Sequence, residues 1–87
     1  MFITLDIHPR IGTRHPEITD ADIRHAWENA IVIRERIGSE PLTLMAAGPD
    51  CAGRLLEVLV VERDGGNLLV YHAMGLTRKA ARELELS

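Results

Sequence analysis

Two apolar runs face each other across a four-residue turn, and that turn does more than any other feature to limit how the chain folds. Arg54 to Arg63 is rich in Leu and Val, Leu68 to Met74 alternates around Tyr71 and His72, and Asp64-Gly65-Gly66-Asn67 separates them. Adjacent glycines between such runs signal a tight hairpin, because they adopt the positive φ angles that matching strand twist requires. A two-residue Gly65-Gly66 loop pairs Asp64 with Asn67 and predicts Val61 opposite Val70, Leu59 opposite His72 and Glu57 opposite Met74. Directly opposed residues share a face. One face therefore carries Glu57, Leu59, Val61, Val70, His72 and Met74. The other carries Leu56, Val58, Val60, Glu62, Leu69, Tyr71 and Ala73.

The second face is the more uniformly apolar and is expected to receive the helices. The first is mixed, and puts Glu57 and His72 within side-chain reach as a diagonal pair. A preceding strand, Leu42 to Ala47, extends the sheet across the turn Gly48-Pro49-Asp50-Cys51-Ala52-Gly53. Pairing Gly48 with Arg54 adds Leu42, Leu44 and Ala46 to the apolar face, and Thr43, Met45 and Ala47 to the mixed one. A half-apolar outer face suggests a surface that something covers. Leu59, Val61, Val70 and Met74 are the candidate partner interface there.

The remaining elements follow from spacing. Residues 2–7 alternate and predict a short strand, with Ile3, Leu5 and Ile7 on one side. Residues 8–18 hold two prolines and a glycine, and predict a loop with at most one helical turn. Thr19 and Asp22 form a capping-box pattern, and Ile23, Ala26, Trp27, Ala30 and Ile31 repeat at helical spacing. A helix over about 19–31 is expected, ending where Ile31-Val32-Ile33 lowers helix propensity. Trp27 belongs to its core stripe, and His25 to its solvated face. Thr77 is placed to cap a final helix, Arg78 to Leu86. The expected architecture is a single α+β domain over 1–87: a small antiparallel sheet of three to four strands, with two main helices on one face.

Composition narrows the function classes. With 87 residues and 46% apolar content there is chain for one core. One Phe, one Trp and one Tyr cannot build a platform that stacks several bases. The net charge of −3 gives no global attraction for phosphate, so any such contact depends on local clusters. A single cysteine, Cys51, rules out an intrachain disulfide framework, which makes a cytoplasmic protein the default. No apolar run is long enough to span a bilayer. The four His and Cys51 lack metal-ligand spacing, and no Gly-rich phosphate loop opens a helix, so no metal or cofactor is expected.

Two basic clusters stand out: His8, Arg10, Arg14 and His15 before the first helix, and Arg78, Lys79 and Arg82 on the last. The order of parts around them resembles the BrnT-type toxins of bacterial type II toxin–antitoxin pairs. It runs Arg14-His15-Pro16-Glu17-Ile18-Thr19, an amphipathic helix, a strand opening Gly53-Arg54, a hairpin, Tyr71-His72-Ala73-Met74, and a basic helix. The resemblance spans roughly residues 14–84. It implies a RelE-like fold, cleavage of RNA and neutralisation by a cognate antitoxin. It matches Arg14 and His15 to the basic-His pair before the helix. It also matches the stretch from His72 to Met74 to the end of the last strand, where those toxins usually show a small residue followed by Arg; the Arg position is Met74 here.

On this reading His15 and His72 are the acid/base candidates, with Glu57 orienting His72. Arg78 stabilises charge on the reacting phosphate, and Arg10, Arg14, Lys79 and Arg82 hold the RNA backbone. The competing reading is a non-catalytic module of the same fold that dimerises or binds a partner through Leu59, Val61, Val70 and Met74. A small-ligand binding protein is the third, with no ligand named by the sequence.

Overall fold

The computed structural model describes residues 4–36, 38 and 41–86. Its α+β domain holds five strands, β1 (Leu5–Ile7), β2 (Val32–Glu35), β3 (Thr43–Pro49), β4 (Leu55–Glu62) and β5 (Leu68–Gly75). They are ordered β1-β5-β4-β3-β2 in one sheet. β1 lies parallel to β5, and the other neighbours are antiparallel. Three helices complete it: α1 (Arg10–Arg14), α2 (Asp20–Glu28) and α3 (Arg78–Glu83). A single 3₁₀ turn, Asp64–Gly66, joins β4 to β5. No described helix is long and apolar enough to cross a membrane.

The hairpin differs from its two-residue expectation in an instructive way. Gly65 and Gly66 both take positive φ, at 75° and 82°. The loop nevertheless contains Asp64 as well, and Arg63 closes it by donating its N–H to the Asn67 carbonyl. The pairing near the turn is thereby displaced by one residue: Val61 opposes Leu69, and Val60 opposes Val70. A bulge then inserts Tyr71 into β5 and undoes the displacement, so Leu59 opposes His72 and Glu57 opposes Met74 as expected. Because a one-residue slip inverts faces, Val70 moves from the mixed face to the core, where its exposure is 0%. The partner interface expected to include Val70 is corrected accordingly. In the β3–β4 pair, Gly48 opposes Leu56 rather than Arg54, an even shift that leaves every face as expected.

Both faces of the sheet are covered, and this corrects the expectation of two helices on one face. α1 and α2 bury Ile11, Ile23 and Ala26 against Leu56, Val58, Val60, Leu68, Val70 and Ala73. Trp27, Leu5 and Ile7 pack at the margin of this cluster. Ala80 of α3 and Leu84, which caps it, pack on the opposite face, against Met45, Ala47 and Leu59. The two central strands are nearly continuous apolar runs, and such strands require cover on both sides. Leu59 thus meets the chain's own last helix.

Local chemistry explains the helix limits. Thr19 and Asp22 form the expected capping box, each satisfying the other's backbone N–H. Asp22 also accepts from the Cys51 N–H at 3.0 Å. Hydrogen bonds from the Thr19 and Cys51 backbone hold its carboxyl down at about 2. α2 ends at Glu28, short of the expected 31, and the β-branched run Ile31-Val32-Ile33 leads into β2 instead. α2 crosses β3 at Gly48, where any Cβ would run into the Ala26 carbonyl and lie 3.1 Å from Ala30 Cα. The part of the first strand at Phe2 and Ile3 falls outside the described residues.

Three outcomes follow. Thr19→Ala is expected to lower stability by about 1 kcal/mol in urea unfolding. Gly48→Ala forces backbone against backbone and is expected to cost roughly 1–3 kcal/mol in the same assay. Because Asp22 is more acidic folded than unfolded, its contribution is complete above its ordinary value of 3.8 and is lost as pH falls towards 2. Acid unfolding of Asp22→Asn followed by circular dichroism is expected to show a weaker pH dependence in that window.

Candidate functional site

The parallel strand β1 is short, and its brevity opens the site. Its last pairing sets Ile7 opposite Val70, and His8 donates its N–H to the Val70 carbonyl. Beyond that point the chain turns into α1, with the N–H of Arg10 donating to His8 Nδ1 at 3.0 Å. The edge of β5 from Tyr71 onward therefore has α1 beside it in place of a strand. A cleft of about 210 Å³ lies between them, lined by Arg10, Ile11, Arg14, His15, Tyr71, His72, Ala73 and Met74. Two arginines and two histidines line it, and no carboxylate does. Arg10 and Arg14 stand one turn apart, which puts both guanidinium groups on one side of α1.

His72 is the best-supported side chain of the cleft. Its Nε2 lies 3.0 Å from Glu57 Oε2. The other oxygen of Glu57 accepts from the Thr77 N–H at 2.9 Å and the Thr77 hydroxyl at 2.7 Å. Glu57 is only 6% exposed. Burial alone raises its pKa, but the bonds from Thr77 and His72 outweigh it and hold the carboxyl below its ordinary range. An ionised carboxylate only accepts, so His72 Nε2 is the donor of this bond. Nδ1 has no hydrogen-bond partner among the described residues. Glu57 therefore fixes which ring nitrogen donates and holds the plane of the ring. His15, half-buried at the end of α1, has its Nδ1 3.7 Å from Glu17 Oε2.

The structure thus draws together Arg10, Arg14, His15 and His72, with Glu57 behind His72. Arg78, Lys79 and Arg82 do not join them. None lines this cleft; Lys79 lines a separate hollow beside Thr77 and Glu83. The expectation that Arg78 stabilises charge beside His15 and His72 is corrected: Arg78 does not line the cleft, and the arginines that line it with Met74 are Arg10 and Arg14. Of the residues expected at an interface, Val70 is core, Leu59 packs against the cluster under α3, Val61 is half-buried, and Met74 is in the cleft.

Other polar residues serve the fold. His25 Nδ1 donates to the Pro49 carbonyl at 2.8 Å, which ties α2 to β3 and departs from the solvated position expected for it. Asp50, 1% exposed, accepts from the Ala52 and Arg54 N–H groups and from Arg54 Nε. These bonds overcome the burial cost and lower its pKa. Burial and the nearby Asp22 raise the Cys51 thiol, which makes it a poor nucleophile. A wider hollow of about 850 Å³ lies between β2 and the end of α3. Four of the charged residues that line it are engaged as Arg34–Glu85 and Arg36–Glu83 pairs, which suits a strut between elements better than a ligand site.

Two contributors escaped the sequence reading. Thr77 was legible as a helix cap, and it does accept from the Ala80 N–H. Its grip on Glu57 depends on a contact 20 residues away. Tyr71 enters the cleft through the bulge, which no local signal announces. Comparison with family models, characterised proteins and solved structures finds no match for the chain.

Because Glu57 is more acidic folded than unfolded, its stabilisation is present above the ordinary carboxylate value of 4.5 and fades as pH drops through the folded value. Glu57→Ala strands the Thr77 N–H and the His72 ring, and is expected to cost roughly 1–3 kcal/mol near neutral pH. It is also expected to weaken the acid dependence of unfolding below about pH 4.5. Chemical denaturation at several pH values checks both.

Proposed function

We propose that the chain is a toxin-type ribonuclease of a type II toxin–antitoxin pair, acting on RNA in the cytoplasm, with the β5–α1 cleft as its active site. The single observation that carries this reading is the pairing of His72 with buried Glu57, at the wall of a cleft lined by Arg10, Arg14 and His15. That is the inventory needed to transesterify an RNA phosphodiester: a base, an acid and fixed positive charge.

The steps follow from the residues. His72 Nδ1 removes the proton of a ribose 2′-OH, and the imidazolium formed is stabilised by Glu57 through Nε2. The 2′-oxygen attacks the adjacent phosphorus, and the P–O5′ bond breaks to leave a 2′,3′-cyclic phosphate. His15 donates a proton to the departing 5′-oxygen. Arg10 and Arg14 bind the non-bridging oxygens, whose charge grows in the transition state. The scarcity of aromatic residues is compatible with this chemistry, because the contacts are to phosphate and ribose rather than to stacked bases. The same arginines supply the cation that Met74 does not. An acidic antitoxin segment seated in this positive cleft provides neutralisation.

Purified chain incubated with single-stranded RNA is expected to release 2′,3′-cyclic phosphate ends. A substrate carrying 2′-deoxyribose at the cleaved position is expected to resist. His72→Ala is expected to lower the cleavage rate by roughly 10²–10⁴-fold, and Arg10→Ala/Arg14→Ala to weaken RNA binding with a reduced salt dependence. Intact RNA after prolonged incubation with the folded wild-type chain overturns the reading.

A further inference from the structure

The backbone of β5 beside the cleft has a phase that its hydrogen bonds fix. The Leu76 N–H donates to the Leu55 carbonyl. Bonded residues alternate along an antiparallel pair, so Met74 bonds to Glu57 and His72 to Leu59. Ala73 and Gly75 fall between these residues and direct their N–H and C=O groups away from β4, to the outer edge. On the other side of the bulge the outward groups belong to Leu68 and Val70, and the chain around β1 meets them. The Leu68 N–H donates to the Thr4 carbonyl at 3.0 Å, and the Val70 carbonyl accepts from His8 at 2.9 Å.

Ala73 has no such bond among the described residues. Gly75, in the same phase, is exposed, but Ala73 is only 1% exposed. Buried carbonyls sometimes go short of partners; buried N–H groups almost never do, and find one in protein, water or ligand. The Ala73 N–H is therefore a donor held ready on the wall of the cleft that Ala73 lines.

We infer that the Ala73 backbone N–H is an oxyanion donor, which binds a non-bridging oxygen of the phosphate held by Arg10 and Arg14. This rests on the reading of the cleft as an RNA site and adds a contact to it that no side chain supplies. Space and charge select the occupant. A strand added to β5 would lie about 4.8 Å from it. α1 already stands there, with Ile11 buried in one cluster with Val70 and Ala73. What is left is a cleft of about 210 Å³, which admits a small group and no further strand. Two arginines and two histidines line it without a carboxylate, so the group that meets the N–H is an anion. The donor is fixed by the strand and loses no side-chain entropy on binding, unlike the two guanidinium groups. It also lies one peptide from His72, so the base and the oxyanion donor share one rigid stretch of β5. A preorganised donor of this kind is most effective where charge grows in the transition state.

The test reads the Ala73 amide directly, by nuclear magnetic resonance of the ¹⁵N-labelled full chain. The probe is a dinucleotide with one phosphodiester and a 2′-deoxyribose on its 5′ side, which cannot be cleaved. Its addition is expected to shift the Ala73 amide proton saturably downfield. An amide-to-ester exchange, Ala73→lactic acid, removes only the donor and is made by peptide ligation at Cys51. It is expected to weaken dinucleotide binding roughly 10–100-fold and to slow RNA cleavage roughly 10²–10³-fold. The matching ester Gly75→glycolic acid, at the exposed position of the same phase, is expected to leave both unchanged. Three results overturn the proposal: an unmoved Ala73 signal while His72 and Arg14 shift, a signal that moves with inorganic phosphate but not with the dinucleotide, or equal effects of the two esters. The two readings fail separately. Full cleavage by the Ala73 ester removes this donor and leaves the reaction, whereas Ala73-dependent binding with uncleaved RNA upholds the donor and removes the reaction.

Discussion

The buried carboxylate of Glu57 ties three parts of the molecule together. It lies on β4, receives a hydrogen bond from His72 on β5, and takes two more from Thr77 at the start of α3. A buried, ionised carboxylate is costly unless its lone pairs are filled. Here the bonds that fill them also decide where α3 begins and which ring nitrogen of His72 donates. α3 is only six residues long and could not persist alone, so its position over Met45, Ala47 and Leu59 rests on that anchored cap and on burying Ala80 and Leu84. One side chain thus joins the integrity of one core cluster to the chemistry of the cleft.

Site and scaffold are separated by the strand order. β1 stops after three residues, and the exposed edge of β5 faces α1 where the basic side chains gather. At the other end of the sheet, β2 presents its own edge with Ile33. A chain with net charge −3 can therefore carry a local cluster of cations in one cleft, because several of its acids are committed elsewhere. Glu83 and Glu85 pair with Arg36 and Arg34, Asp50 with Arg54, and Asp22 with backbone at the start of α2. Whole-molecule charge is a poor guide to such a site, since charges more than a Debye length of about 10 Å apart are largely screened from one another.

Much of the fold was legible in short-range patterns. The capping box at Thr19 and Asp22, the cap at Thr77 and the apolar face of β4 all appear as their spacing predicts. The Glu57–His72 pairing was legible as well, although the turn is one residue longer than expected and only the bulge at Tyr71 restores the register. Val70, between the turn and the bulge, shows what that compensation hides. Strand β2 was foreshadowed by the β-branched run that weakens the end of α2, but the same run was equally consistent with a fraying helix, because short apolar segments do not declare their period.

The sequence by itself determined the local rules: where helices can start, which alternating positions can share a face, and that three aromatic residues are too few for a base-stacking platform. The first two depend on neighbours a few residues apart. Only the tertiary structure decided which charged residues meet. Arg10, Arg14 and His15 join His72 because β1 is short and parallel, while Arg78 and Arg82 are carried away because α3 crosses to the other face. Both outcomes follow from burying a sheet that is apolar on both sides, a requirement of the whole core that no local stretch of sequence contains.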